Sequence, residues 1–216
     1  MKLIIAGATS LLGTEIVTQS LQIREITQVI SLALQPVQLD KGIDTSKLKN
    51  VVIRDYSEYP DDVKAEFAGA DACIWTVAVM PLRTGKVELK RVCQDDTKLG
   101  FKAICEAGPA RPFRFIQCNT ELMVLKFPTE KEGVEVCIAR PGVIANSSTW
   151  SRALVANLFR IVSLFGRPLP YVQRSQLAAA VLSQVMDGFE KQTLSNADLV
   201  RIGQRELSFR SMPQPS

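Results

Sequence analysis

The chain has 216 residues, of which 46% are hydrophobic and 22% are charged, and this size fits one globular domain with a single core. It contains no histidine, which excludes Ser-His-Asp triads, Cys-His nucleophile pairs and imidazole metal ligands. The net charge is only +4 and the basic residues are scattered, so we expect no nucleic-acid partner.

Short apolar runs alternate with helical patterns through the first two thirds of the chain. The first helical pattern has an amphipathic face over residues 12–21, and a long one spans 86–107 before Gly108 and Pro109. This alternation predicts an α/β fold, a doubly wound parallel sheet of about six or seven strands with helices on both faces. The predicted strands are residues 3–6, 29–34, 51–53, 73–79, 113–118 and 134–139.

The last third of the chain has a helical pattern instead. Helices are predicted over 150–165 and 175–188, separated by the segment 166–170, and a final one begins at Asn196 and ends near Leu207. We therefore expect one domain over residues 1–211, with a small, mainly helical region over 146–211 on the substrate side. Residues 212–216 are predicted to be a disordered tail.

The first strand leads through glycines directly into the first helix. Gly7 permits a tight turn and Gly13 permits close packing of the helix on the strand, which directs free N–H groups and the positive end of the helix dipole at one point. Ser10 replaces the usual middle glycine, and its hydroxyl is able to donate to a phosphate. The pattern predicts a dinucleotide-binding loop in a Rossmann-type domain. The alternative is that both glycines serve only the turn and the packing.

The end of the second predicted strand does not identify the dinucleotide. An acidic residue there binds the ribose hydroxyls of NAD and a basic one favours NADP, but Leu34 and Gln35 are neither. The nearest charged residues are Asp40, Lys41 and Arg54. Both NAD and NADP stay open, with a slight preference for NADP.

Five segments in chain order resemble the atypical short-chain dehydrogenase/reductase group. Within it, they are similar to the NmrA-like and nucleoside-diphosphate-sugar-epimerase-like NAD(P)-binding proteins common in fungi. The segments are residues 7–13, 69–75, 112–116, 140–143 and 196–199.

The resemblance implies a set of cofactor contacts. Around the pyrophosphate it places Gly7, Thr9, Ser10, Leu11 and Leu12, with Gly13 behind them. At the adenine it places Asp55 and Tyr56, at the ribose Thr76, Val77 and Ala78, and at the nicotinamide carboxamide Pro141, Gly142 and Val143. The alternatives are that Asp55 only forms a strand-end turn, and that Pro141 and Gly142 only end a strand and form a turn.

The sequence departs from this family at the catalytic residues. Such reductases use a Ser or Thr after the fifth strand and a Tyr followed four residues later by a Lys, which lowers the pKa of the phenol. The residues four positions after Tyr56, Tyr59 and Tyr171 are not lysines, and only 15 residues separate Cys118 from Val134, so the catalytic segment looks deleted. The remaining catalytic candidates are Cys118, Asn119 and Thr120, although Cys118 has no histidine partner and a buried thiol is favoured there.

These observations predict an NAD(P)-binding protein of the reductase type, acting on a small organic molecule or secondary metabolite. The alternatives are a catalytically silent sensor or regulator, and an isomerase or lyase that reuses the pocket. Five cysteines without a C-x-x-C spacing fit reduced thiols in the cytoplasm, and no apolar run is long enough to span a membrane. We expect no metal site, and a homodimer is an open option by analogy with related folds.

Overall fold

A computed structural model describes residues 1–78, 91–118, 132–145 and 170–211. The first half contains β1 (Lys2–Ala6), α1 (Leu11–Gln22), β2 (Gln28–Ala33), β3 (Leu48–Val52), α2 (Asp61–Ala65) and β4 (Ala72–Trp75). A π-helical turn (Arg91–Asp95) then leads into α3 (Asp96–Glu106), followed by β5 (Phe113–Cys118) and β6 (Val134–Ala139). The remaining elements are β7 (Val143–Ala145), β8 (Tyr171–Gln173), α4 (Arg174–Asp187), β9 (Thr193–Leu194) and α5 (Asn196–Ser211).

Seven strands form one sheet in the order β3-β2-β1-β4-β5-β6-β9, and every neighbouring pair is parallel. The first six strands have the order of a doubly wound Rossmann sheet, in which the crevice for ligands opens beyond the carboxyl ends of β1 and β4. One apolar core packs α1, α4 and α5 on one face, and a second core packs α2 and α3 on the other. The predicted fold class is confirmed.

Several boundaries differ from those predicted. Strand β3 begins at Leu48 rather than residue 51, because it is the edge strand and its first half, with exposed Lys49 and Asn50, lacks the apolar run that identifies a buried strand. Strand β4 ends at Trp75 rather than residue 79, and the last bond to its neighbour β1 is donated by Thr76 N–H to Ala6 O. The short strands β7, β8 and β9 have too few residues for a pattern, and β7 and β8 form a separate two-stranded sheet.

The helices agree more closely with the sequence. Helices α1 and α4 lie within one residue of their predicted limits, and α5 continues four residues beyond Leu207. The long predicted helix is described only from Arg91 onwards, as the π-helical turn followed by α3. The predicted helix over 150–165 and the tail over 212–216 lie outside the described residues. In the described part of the chain, no helix is long and apolar enough to cross a membrane.

Candidate functional site

Gly7 turns the chain at the carboxyl end of β1. Its φ is +78°, a conformation that strongly favours glycine, and a Cβ there would lie 2.6 Å from Thr76 Oγ1 and 3.0 Å from Val77 N. Its N–H donates to Leu32 O at 2.9 Å. Glycine is therefore required here for two reasons, and the turn brings the ends of β1, β2 and β4 together.

Ser10 caps the start of α1. Its Oγ accepts a hydrogen bond from Gly13 N–H at 2.9 Å and lies 3.2 Å from Thr76 Oγ1. Since the Thr76 hydroxyl donates to Ala6 O at 2.8 Å, the proton between the two hydroxyls is donated by Ser10. The Ser10 hydroxyl is thus committed to the loop. The N–H groups of Leu11 and Leu12, which have no carbonyl one turn earlier in the helix, are the donors that remain for an anion.

Gly13 allows α1 to begin directly on this turn. A Cβ at Gly13 would overlap the carbonyl oxygen of Gly7 and would lie 2.8 Å from Ala8 Cα. Both obstacles are backbone atoms, which a change of rotamer does not move. The packing that the sequence predicts for this glycine is therefore present in the structure.

A cavity of about 320 Å³ opens beside the turn. We call it the loop cavity, and its volume is at the lower end of the range for small-molecule sites. It brings together many of the predicted contacts and adds Leu34, Arg54, Arg91, Val92 and Asp96. The predicted residues that line it are Gly7, Thr9, Ser10, Asp55, Tyr56, Thr76, Val77 and Ala78.

Leu11, Leu12 and Gly13 do not line the loop cavity. Leu12 is 6% exposed and packs in the core beneath α1, whereas Leu11 is exposed to solvent. Contact of Leu12 with a ligand is consequently limited to its backbone.

Tyr56 holds the glycine turn through its hydroxyl. The hydroxyl accepts from Gly7 N–H and donates to Leu32 O, each at 3.1 Å, and the ring packs edge-on against Trp75. Burial raises the pKa of Tyr56 to about 12, and it also raises the pKa of buried Tyr59. Both phenols therefore stay protonated at neutral pH and neither is poised to exchange a proton with a substrate.

Tyr56→Phe is expected to lower the free energy of unfolding at pH 7 by about 1 kcal/mol, the usual net value of a hydrogen bond. The raised folded pKa gives a stabilising contribution that is complete below pH 10 and is lost as the pH rises towards 12. The variant should therefore show a smaller loss of stability between pH 10 and 12, measured by urea unfolding. An alkaline loss identical to that of the wild type would contradict this role.

Asp55 follows β3 and makes the strand-end turn that the sequence presented as one of two alternatives, while its contact with an adenine stays a prediction. Its Oδ1 accepts from Ser57 N–H at 2.7 Å, which makes a strand-end turn, and its carboxylate also faces the loop cavity. The hydrogen bonds from Ser57 hold the pKa of Asp55 below its usual value. Arg91 Nη1 lies 3.9 Å from Asp55 Oδ2, so the carboxylate is ionised and has a positive neighbour.

Pro141, Gly142 and Val143 do not line the loop cavity. Gly142 N–H donates to Asn196 Oδ1 at 2.8 Å, and a Cβ there would overlap the carbonyl oxygen of Pro170. Val143 begins β7, and its N–H donates to Pro170 O. This segment joins the main sheet to the small one, and its contact with a nicotinamide carboxamide stays a prediction.

Cys118 ends β5 and is 5% exposed. Burial raises the pKa of its thiol, so the thiol is protonated at neutral pH and is not an activated nucleophile. This favours the buried-thiol interpretation over a catalytic one. The other two catalytic candidates, Asn119 and Thr120, lie outside the described residues. No group of acidic, cysteine or histidine ligands suitable for a metal occurs in the described ranges.

A larger cavity, of about 890 Å³, lies near the amino ends of β5 and β6. Several of its charged side chains are engaged in structural contacts. Arg114 donates to Val185 O and Met186 O at the end of α4 and forms an ion pair with Glu135, and Glu190 pairs with Arg201. Ligands of doubly wound sheets bind beyond the carboxyl ends of the strands, where the loop cavity lies. The smaller loop cavity is therefore the candidate site.

No protein-family model matches the chain, and no curated protein is significantly similar to it in sequence. Solved structures are similar in fold. The PhqB reductase domain from Penicillium fellutanum superposes with a TM-score of 0.64 at 15% identity, covering 91% of this chain and 67% of that one. MoeE5 in complex with UDP-glucuronic acid and NAD gives 0.63 at 13% identity, covering 90% and 75%.

Gre2 from Candida albicans, in complex with NADPH, gives a TM-score of 0.62 at 13% identity, covering 90% of this chain and 77% of that one. A short-chain dehydrogenase family protein from Francisella tularensis is also similar, with a TM-score of 0.59 at 12% identity and coverage of 91% and 98%. The chain thus has the fold of short-chain dehydrogenase/reductase proteins. At these identities the similarity establishes the fold and nothing finer.

Proposed function

We propose that this protein binds a nicotinamide dinucleotide in the loop cavity. The observation that carries the proposal is the glycine turn of residues 7–10, which begins α1 at one wall of the cavity, at the crevice between β1 and β4. The start of a helix at this crevice is where dinucleotide pyrophosphates bind. MoeE5 and Gre2, which share the fold, were solved with NAD and NADPH respectively.

The residues in and beside the loop cavity suit the separate parts of such a ligand. The N–H groups of Leu11 and Leu12 suit the pyrophosphate, because they lie at the positive end of the α1 dipole. The segment of Thr76, Val77 and Ala78 forms a wall beside the turn and suits the ribose. Asp55 and the apolar side chains of Leu34 and Val92 suit the adenine base. When bound, the dinucleotide supplies the hydride donor or acceptor.

We propose NADP in preference to NAD because of the charges in the loop cavity. Two arginines line it, and Arg91 lies beside Asp55. Arg54 has no carboxylate within 4.0 Å among the described residues, so its guanidinium is available for an anion such as a ribose 2′-phosphate. This cation follows β3, whereas the usual determinant of cofactor choice follows β2.

Arg54→Gln is expected to weaken NADPH binding by roughly ten- to a hundredfold, the range for one hydrogen bond between charged groups. The affinity for NADH should stay within about threefold of the wild type, because NADH has no 2′-phosphate to lose contact with Arg54. Fluorescence titration of both cofactors measures the two affinities. Arg24→Gln is the matched control. Arg24 is exposed, and it lies between the end of α1 and the start of β2, on the side of the sheet away from the loop cavity. Equal losses for both cofactors would contradict this role of Arg54.

The reaction that we propose is an atypical reduction of a small organic molecule by the bound cofactor. A catalytically silent sensor of the dinucleotide is the second candidate. It is favoured by the environment of the tyrosines, because Tyr56 is held by backbone groups and the buried hydroxyl of Tyr59 lies outside the lining of the loop cavity. Tyr171 lies in β8 and lines a different cavity.

Two measurements test these proposals in order. Fluorescence titration with NADPH and NADH tests the site, and an absence of binding at millimolar concentration overturns both candidates. If a cofactor binds, its oxidation is followed at 340 nm with a panel of aldehydes, ketones and enones. Turnover with any of them supports the reductase, whereas binding without turnover across the panel favours the sensor.

A further inference from the structure

Three buried polar atoms of the described residues have no hydrogen-bond partner: Tyr59 Oη, Trp75 Nε1 and Asp96 Oδ1. Two of these residues meet where β4 packs against α3, because a Cβ at Gly100 would lie 2.8 Å from Tyr59 Oη and would overlap the Trp75 ring. Asp96 is one turn before Gly100 on the same face of α3. Of the three residues, Asp96 lines the loop cavity.

Asp96 is an unusual residue for such a position. Asp96 is only 4% exposed, yet it lines the wall of the loop cavity. Burial raises the pKa of its carboxyl group, and the positive charge of Arg91 opposes the shift without forming an ion pair with it. Buried polar groups in folded proteins nearly always have a partner, so a hydrogen-bond donor on a ligand in the cavity is the economical partner for this carboxylate.

The surroundings of Asp96 indicate the chemistry of that partner. A carboxylate oxygen accepts hydrogen bonds, so the ligand must present a donor. The nearby lining includes a second carboxylate, Asp55, and the apolar side chains of Leu34 and Val92. A flat aromatic ring with an amino group on its edge fits this combination, because its faces contact the apolar side chains and its N–H groups meet the acceptors.

We propose that the Asp96 carboxylate accepts a hydrogen bond from the exocyclic amino group of the adenine ring, and that it thereby selects adenine over 6-oxopurine bases. This inference rests on the proposed function, since it concerns the base of the bound dinucleotide. A 6-oxopurine presents a carbonyl oxygen at the same position. Two acceptors would then face each other in a buried site, which disfavours binding.

The test compares NADPH with its deamino analogue, reduced nicotinamide hypoxanthine dinucleotide phosphate. Wild-type protein should bind NADPH roughly ten- to a hundredfold more tightly than the analogue, the range for one hydrogen bond to a charged group. Asp96→Asn should reduce this preference to about threefold or less, because an amide is able to donate to the carbonyl oxygen. Asp95→Asn is the matched control, since Asp95 is the exposed neighbour and does not line the cavity. It should keep the wild-type preference.

A second measurement separates binding from a structural role. Without nucleotide, Asp96→Asn should raise the Tm at pH 7 by about 2–4 °C, because it removes a buried charge that has no partner. Because the pKa of the Asp96 carboxyl is raised in the folded state, the ionised group destabilises the fold at pH values above its unfolded pKa. The increase in Tm of the variant over the wild type should therefore shrink as the pH falls towards 4. A residue with a structural role would lose stability on the same substitution.

The outcomes distinguish this inference from the function on which it rests. Failure of wild-type protein to bind either dinucleotide overturns both. Binding of NADPH and its analogue with equal affinity overturns the role of Asp96 alone, as does an Asp96→Asn variant that keeps the wild-type preference. A fall in the Tm of that variant without nucleotide also overturns it.

Discussion

Gly13→Ala is expected to lower the free energy of unfolding by about 2–3 kcal/mol and to weaken NADPH binding by roughly a hundredfold or more. The added methyl group would overlap Gly7 O and would press on Ala8 Cα, so α1 must move away from the glycine turn. That movement displaces the N–H groups that we propose to hold the pyrophosphate. Urea unfolding and fluorescence titration of the folded variant measure the two effects separately.

Gly203→Ala provides a matched control for this result. Gly203 is also a buried helical glycine, and a Cβ there would overlap the carbonyl oxygen of Gln176 and lie 2.9 Å from its Cα. The clash is of the same kind, but it separates α5 from α4 and does not involve the loop cavity. Gly203→Ala should therefore lose a similar amount of stability while the folded protein binds NADPH as the wild type does. If both variants bind equally well, the proposed role of the turn at Gly7 and Gly13 is wrong.

Gly7→Ala should have the second large effect. Alanine is disfavoured by about 1–2 kcal/mol at a left-handed φ such as the +78° of Gly7. The methyl group would also lie 2.6 Å from Thr76 Oγ1 and 3.0 Å from Val77 N, which adds an overpacking penalty of about 1–3 kcal/mol. Because both obstacles belong to a wall of the loop cavity, we expect NADPH binding to fall by roughly a hundredfold.

Gly69→Ala isolates the two contributions. Gly69 has a φ of +67°, close to that of Gly7, but a Cβ there would meet nothing within 4 Å. This variant should lose only the stability due to the backbone conformation and should bind NADPH normally. The difference between the unfolding free energies of the two variants then measures the contact with the end of β4. Equal losses of unfolding free energy in Gly7→Ala and Gly69→Ala would show that the contact of the added methyl group with Thr76 and Val77 does not affect stability.

The sequence determined those features that depend on residues close together in the chain. The period of the apolar residues distinguished strands from helices, so the parallel α/β fold and most element limits were predictable. The turn at Gly7 was also predictable, because it consists of a strand, a glycine and a helix start in direct succession. Very short strands such as β9 were not predictable, because two residues carry no period and their pairing partner, Ile138 to Ala139, is distant in the chain.

The tertiary structure decided which side chains reach the loop cavity and which are used by the fold. Tyr56 and Ser10 were predicted as ligand contacts, and the structure shows their hydroxyls bonded to groups of the loop and of β2 and β4. Asp96 had no signal in the sequence, where it is one of several charged residues within the long helix predicted over 86–107. Its buried, unpartnered position arises from the packing of α3 against β4. Hydrogen bonding and burial between distant segments depend on how the chain folds, whereas turns and periodicity depend on neighbouring residues, and for this reason only the latter could be predicted.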